Sequence, residues 1–137
     1  MSVVKELLRG ETNGSISFGD YTLEKKTKRE DFEFGGDLYK VKTFREITKL
    51  ERNGAFVYES VPGTAVHQFA AREDGLSFRV ESYRDCEITV ELAESTQYLI
   101  TYDGEQHGLL ETNPPGNLSI GGELAVAHNV DGRITKW

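Results

Sequence analysis

The stretch LSFRVESYRDCEITVEL (residues 76–92) decides the fold. In its first half Leu76, Phe78 and Val80 alternate with Ser77, Arg79 and Glu81. In its second half Cys86, Ile88, Val90 and Leu92 alternate with Glu87, Thr89 and Glu91. Successive side chains of an extended chain point to opposite faces, so each half presents one apolar face and one polar face. Half-buried antiparallel strands have this pattern, which assigns the seven apolar residues to a core. Cys86 lies on the apolar phase and is predicted to be a small core residue, with no reactive or metal-binding role. It is the only cysteine, so no intrachain disulfide can form.

Turn chemistry extends the reading outward. RNGA (52–55) separates ITKLE from FVYES, and Asn-Gly supplies the two positive φ angles of a type I′ hairpin. TNGS (12–15), FGGD (34–37), EDGL (73–76), YDGE (102–105) and VDGR (130–133) read as further turns, and Pro114-Pro115-Gly116 as a rigid loop. Short alternating runs between such turns predict an all-β fold: an antiparallel β-sandwich, or two small packed β-sheets, rich in hairpins. VVKELLR (3–9) alone has helical spacing, at Val3, Val4, Leu7 and Leu8. So short a helix is marginal in water, and a strand is expected there.

Charge divides the chain. Residues 1–84 hold 14 Lys and Arg against 14 Asp and Glu, whereas residues 85–137 hold Arg133 and Lys136 against nine acids. The net charge of −7 therefore falls in the second part. This predicts a β-rich N-terminal subdomain (1–84) and an acidic, β-sandwich-like C-terminal subdomain (85–137). No proline- or serine-rich linker lies between them, so they are expected to pack as one unit. An acidic surface repels phosphate backbones, which argues against nucleic acid as a partner. The basic run Lys25, Lys26, Lys28 and Arg29 is interrupted by Glu24, Glu30 and Asp31 and reads as a solvated turn. No apolar run reaches the roughly 18 residues of a membrane helix, so no membrane partner is expected and a cytoplasmic location is the default.

Catalytic constellations are sought in vain. Glu87 and Glu91 share one strand face but lie roughly 13 Å apart at about 3.3 Å per residue. Paired glycosidase acids need roughly 5–9.5 Å. His67 (expected at a strand edge), His107 and His128 have no metal-ligand spacing. The Asp-Gly pairs lack the series of a calcium loop. GGE (121–123) and FGG (34–36) are too short to cradle a phosphate, and no cofactor is implied. No motif groups the arginines at 9, 29, 45, 52, 72, 79, 84 and 133. Aromatic side chains remain as binding candidates, because flat rings stack on sugars and anchor protein partners. Tyr58, Tyr83, Tyr102 and Trp137 are the expected binding residues.

Two resemblances add to this. Leu92, Thr96 and Tyr98 have the spacing Leu-x-x-x-Thr-x-Tyr, which resembles the tyrosine-corner region of fibronectin type III modules over residues 88–112. The resemblance implies a structural role for all three, the Tyr98 hydroxyl bonding back to the chain a few residues upstream. SISFGDYTL, YKVKTFREITKLERNG and FVYESVPGTAV resemble a family of short bacterial proteins that carry the label endosialidase or endosialidase-like. That label implies a small carbohydrate-active enzyme. The residues themselves predict a non-catalytic β-protein that works by binding or self-association, with a protein partner, a glycan or a second copy as candidates.

Overall fold

Thirteen strands and no helix make up the described residues, 3–82, 86–121 and 130–137, of the computed structural model. One sheet runs, in spatial order, β1 (Leu8–Gly10), β2 (Ile16–Phe18), β7 (Ala65–Arg72), β8 (Gly75–Glu81), β13 (Val130–Lys136), β10 (Gln97–Tyr102) and β11 (Glu105–Glu111). The other runs β12 (Asn117–Gly121), β9 (Glu87–Glu91), β6 (Ala55–Val61), β5 (Ile47–Arg52), β4 (Asp37–Phe44) and β3 (Thr27–Phe34). Neighbouring strands are antiparallel throughout, and the two sheets enclose one core as a β-sandwich. Both sheets draw strands from either side of residue 85, because β8 pairs with β13 and β6 with β9.

The alternation in 76–92 is realised as β8 and β9. Leu76, Phe78, Val80, Cys86, Ile88 and Val90 are buried, while Leu92 is half-buried at the rim. Asn53 and Gly54 both have positive φ (52° and 81°), as a two-residue type I′ loop demands, and Asp103-Gly104 repeats the geometry (50° and 86°).

Four local expectations are corrected. VDGR is not a turn: Val130–Lys136 is one continuous strand. Gly132 stands there because its Cα partner is Phe78, whose ring would lie 3.1 Å from any added Cβ. Asp-Gly thus serves close packing at this position, which the dipeptide alone does not reveal. In 3–9 only Leu8 and Arg9 are extended, after a turn that carries Leu7 at φ 71°. Lys28 and Arg29 belong to edge strand β3, and only Lys25 and Lys26 precede it. His67 lies on β7, which is flanked by β2 and β8 and is no edge.

The core is joined across the sheets by aromatic rings. Tyr58 of β6 meets Phe18 of β2 edge-on at 5.1 Å between centroids, and contacts Phe69 and Phe78 at 6.0 and 6.4 Å. Edge-to-face geometry sets a positive ring edge against a negative face. Tyr58 is fully buried at 0% exposure, so the ring chosen as a binding platform is a core anchor instead. Its hydroxyl bonds to Thr64 Oγ1 at 2.8 Å, and burial holds it well above its usual pKa, as a neutral phenol. Tyr98 is also buried, and its hydroxyl accepts the Ala93 N–H at 3.1 Å. Thr112 ties the same corner by donating to Ala93 O (2.7 Å) and accepting from Thr96 N–H (2.9 Å).

Two substitutions test these anchors. Tyr58→Ala should lower stability by about 3–5 kcal/mol, the range for emptying an aromatic core site. Tyr98→Phe should cost about 1 kcal/mol by leaving the Ala93 N–H without its acceptor. Urea titration reads both. An unchanged midpoint for Tyr98→Phe would remove the corner role.

Candidate anion-binding cleft

One concavity among the described residues grows out of a single irregularity. His67 faces Arg79 across the β7–β8 ladder and Ala70 faces Ser77, so Gln68 and Phe69 together oppose Phe78. This β-bulge places Gln68 at φ 55° and bends β7. Gln68 is held by a relay: its N–H donates to Ser17 Oγ (3.1 Å), and Ser17 Oγ donates to Glu11 Oε2 (2.5 Å). Arg9 Nε donates to the same oxygen at 3.0 Å. The Ser17 bond, helped by Arg9, holds the Glu11 carboxyl below its ordinary pKa.

Beside the bulge lies a cleft of about 470 Å³ with walls from both sheets. Arg79 and Arg133 project from the outer face of the first sheet, where alternation buries Phe78, Val80 and Ile134 on the other side. Arg79 is the Cα partner of Asp131, and Arg133 that of Ser77, so the two arginines are diagonal neighbours. Diagonal Cα atoms on one sheet face are roughly 7–8 Å apart, within joint reach of one ligand. Arg72 contributes from the end of β7, while Arg52 and its Cα partner Tyr39 contribute from the second sheet.

Electrostatics set this cleft apart. Among the described residues that line it, four guanidinium groups stand against a single carboxylate, Asp131, in a chain of net charge −7. Among the described residues none of these four arginines forms an ion pair; the arginine in the salt bridges is Arg9. Guanidinium groups offer planar forks of N–H donors that match carboxylate, sulfate or phosphate oxygens, and these forks are open to solvent. His67 also lines the cleft, although only 5% of it is exposed.

Of the aromatics expected from sequence, Tyr58, Tyr102 and Trp137 do not line this cleft. Tyr58 is in the core, and Tyr83 lies outside the described residues, as does His128. Tyr102 is half-buried with its ring 4.4 Å from that of His107. Trp137 is 70% exposed, tethered through its backbone N–H to Gln97 O at 3.0 Å. Tyr39 is the tyrosine on the cleft wall. Sequence reasoning missed the four arginines as a set because they stand far apart along the chain, and only strand register unites them. One signal was available: Arg79 occupies the polar phase of an otherwise clear alternation.

Among the described residues no group of three or more His, Cys, Asp or Glu side chains could hold a metal ion. No helix there is long and apolar enough to cross a membrane. No protein-family model, no curated protein and no solved structure matches this chain.

The relay behind the bulge makes a pH prediction. Glu11 has a depressed folded-state pKa, so its contribution to stability is present above the ordinary carboxyl range and is lost as pH falls through the lowered value. Wild type should therefore melt above Glu11→Gln at pH 7, with the difference closing in acid. A difference constant with pH would show that the charge on Glu11 is irrelevant to the bulge.

Proposed function

We infer that this chain is a non-catalytic β-protein that works by binding, and that the arginine cleft receives an anionic ligand. The observation that carries the reading is the set of four arginines without an acidic partner among the described residues, gathered in one cleft of an acidic protein. A cationic concavity in a low-dielectric wall focuses the field on small anions and raises their local concentration. An acidic glycan fits this chemistry, with sugar carboxylates on the guanidinium forks and a ring face against Tyr39.

The carbohydrate-active enzyme implied by the family resemblance makes a different demand. Glycoside hydrolysis ordinarily uses two carboxyl groups flanking the bond. Among the described residues that line the cleft Asp131 is the one carboxylate, which favours binding over turnover.

Titration calorimetry with citrate, an oligosialic acid and a neutral oligosaccharide tests the reading. The two anions should bind, more weakly as salt rises, and the neutral sugar should not. Arg79→Gln and Arg133→Gln should each weaken binding roughly 10-fold or more, since a charge-assisted bond contributes about 1.5–3 kcal/mol. Lys136→Gln, outside the cleft, should leave affinity unchanged. Equal losses from all three variants would reduce the effect to net charge and reject the cleft. Product release from oligosialic acid that disappears in Asp131→Asn would replace binding by catalysis.

A further inference from the structure

A β-sandwich has four sheet edges, and each presents unpaired backbone groups that invite another strand. Three of the edges here are guarded. Edge strand β1 is three residues long, and Arg29 Nη1 donates to the carbonyls of Glu6 (2.9 Å) and Leu8 (3.0 Å) beside it. Edge strand β3 carries Lys28, Arg29, Glu30 and Asp31, and its ladder is broken by a bulge between Arg29 and Phe32. Among the described residues edge strand β12 is short, with five residues.

The fourth edge differs. β11 (EQHGLLE) is exposed along its whole length and contains no Lys, Arg or Pro. It has a bulge, but at its N-terminal half, where Ile100 faces Gly108 and Thr101 faces Gln106. Beyond it, Leu109 and Leu110 are 44% and 40% exposed. They lie on opposite faces of the strand, so each face of the edge carries one exposed leucine. Beside the strand lies a groove of about 250 Å³ of mixed character, in which Ile100, Leu109, Leu110 and Ile120 stand with Tyr102, His107 and Ser119.

Hydrogen-bond phase says which backbone groups are free. Thr112 N–H donates to Thr96 O (3.0 Å), so residues 112, 110 and 108 turn their backbone groups toward β10. Trp137 N–H reaches Gln97 O on the other side of β10, which agrees with this phase. The N–H and C=O of Leu109 and Glu111 therefore point outward, and among the described residues no strand pairs with them.

We propose that β11 pairs antiparallel with β11 of a second copy about a two-fold axis at Leu110, joining the seven-stranded sheets of two chains. In this register Leu109 faces Glu111 of the second copy and the reverse, which satisfies four outward backbone groups on each chain with four hydrogen bonds. The two Leu110 side chains meet on the inner face and cover the grooves. No two carboxylates stand opposite each other, whereas a two-fold at Gly108 would set Glu105 against Glu111. The register also uses only residues C-terminal to the bulge. Self-complementarity of the undistorted half favours a second copy over an unrelated strand.

Light scattering and engineered cysteines decide it. The wild-type mass should rise from monomer to dimer with concentration, and Leu109→Lys, which guards the edge at an exposed position, should remain monomeric with unchanged melting. Antiparallel residues in a non-hydrogen-bonded pair have Cα atoms about 4.5 Å apart, within disulfide reach. Leu110→Cys should therefore form a covalent dimer in air, while Leu109→Cys should not. The wild-type chain, whose Cys86 is buried, is the control. A wild-type chain that stays monomeric at millimolar concentration would overturn the dimer. Cross-linking through Leu109→Cys in place of Leu110→Cys would overturn the register.

Discussion

The hydrogen bond between Tyr58 and Thr64 is the joint on which the two sheets are hung. Tyr58 belongs to β6 of one sheet, and Thr64 immediately precedes β7 of the other. Around it runs a buried polar chain: Ser60 Oγ to Thr64 Oγ1 at 2.9 Å, Thr48 Oγ1 to Thr64 O at 2.9 Å, and Thr43 to Thr48 at 2.8 Å. Proton counting fixes its direction. Thr64 O can only accept, so Thr48 spends its one proton there and must accept from both Thr64 N–H and Thr43 Oγ–H. Thr43 in turn accepts from Asp20 N–H at 3.0 Å. Each hydroxyl from Thr43 to Thr48 thus has a determined role. A satisfied buried network of this kind specifies one packing, because any slip leaves a desolvated group unpaired. The aromatic cluster supplies bulk attraction, and the threonines select the register.

The fold was largely legible because period-two alternation is a local signal. Leu76 to Val90 could be assigned to a core face without knowing any partner strand, and Asn53-Gly54 names its turn by the φ angles it tolerates. Legibility fails where one local signal has two physical uses. Asp131-Gly132 resembles a turn, yet Gly132 serves to admit the Phe78 ring. Tyr58, too, reads as a solvent-facing aromatic or a core aromatic from sequence alone, since its fate depends on Phe18, Phe69 and Phe78 arriving from the opposite sheet.

The candidate site was not legible, for a topological reason. Arg79 and Arg133 are neighbours only because β13, reached after the chain has built the edge strands β11 and β12, inserts between β8 and β10. Arg52 arrives from the other sheet altogether. Long-range pairing of this sort leaves no periodic trace. What the sequence did contain was a bias, since Arg133 is one of two basic residues in the acidic stretch 85–137.

The bulge connects stability to the cleft. A regular β7 would keep residues 67–70 in simple alternation, whereas the bulge lets Phe69 enter the core while Gln68 and His67 turn to the cleft. That distortion places a non-glycine residue at positive φ, which costs about 1–3 kcal/mol unless its surroundings hold it. The relay from Gln68 through Ser17 to the ionised Glu11 offsets that cost, and a charged acceptor makes its hydrogen bonds roughly twice as strong as neutral ones. Glu11 is thereby committed to the bulge through Ser17 and to Arg9 through its ion pair.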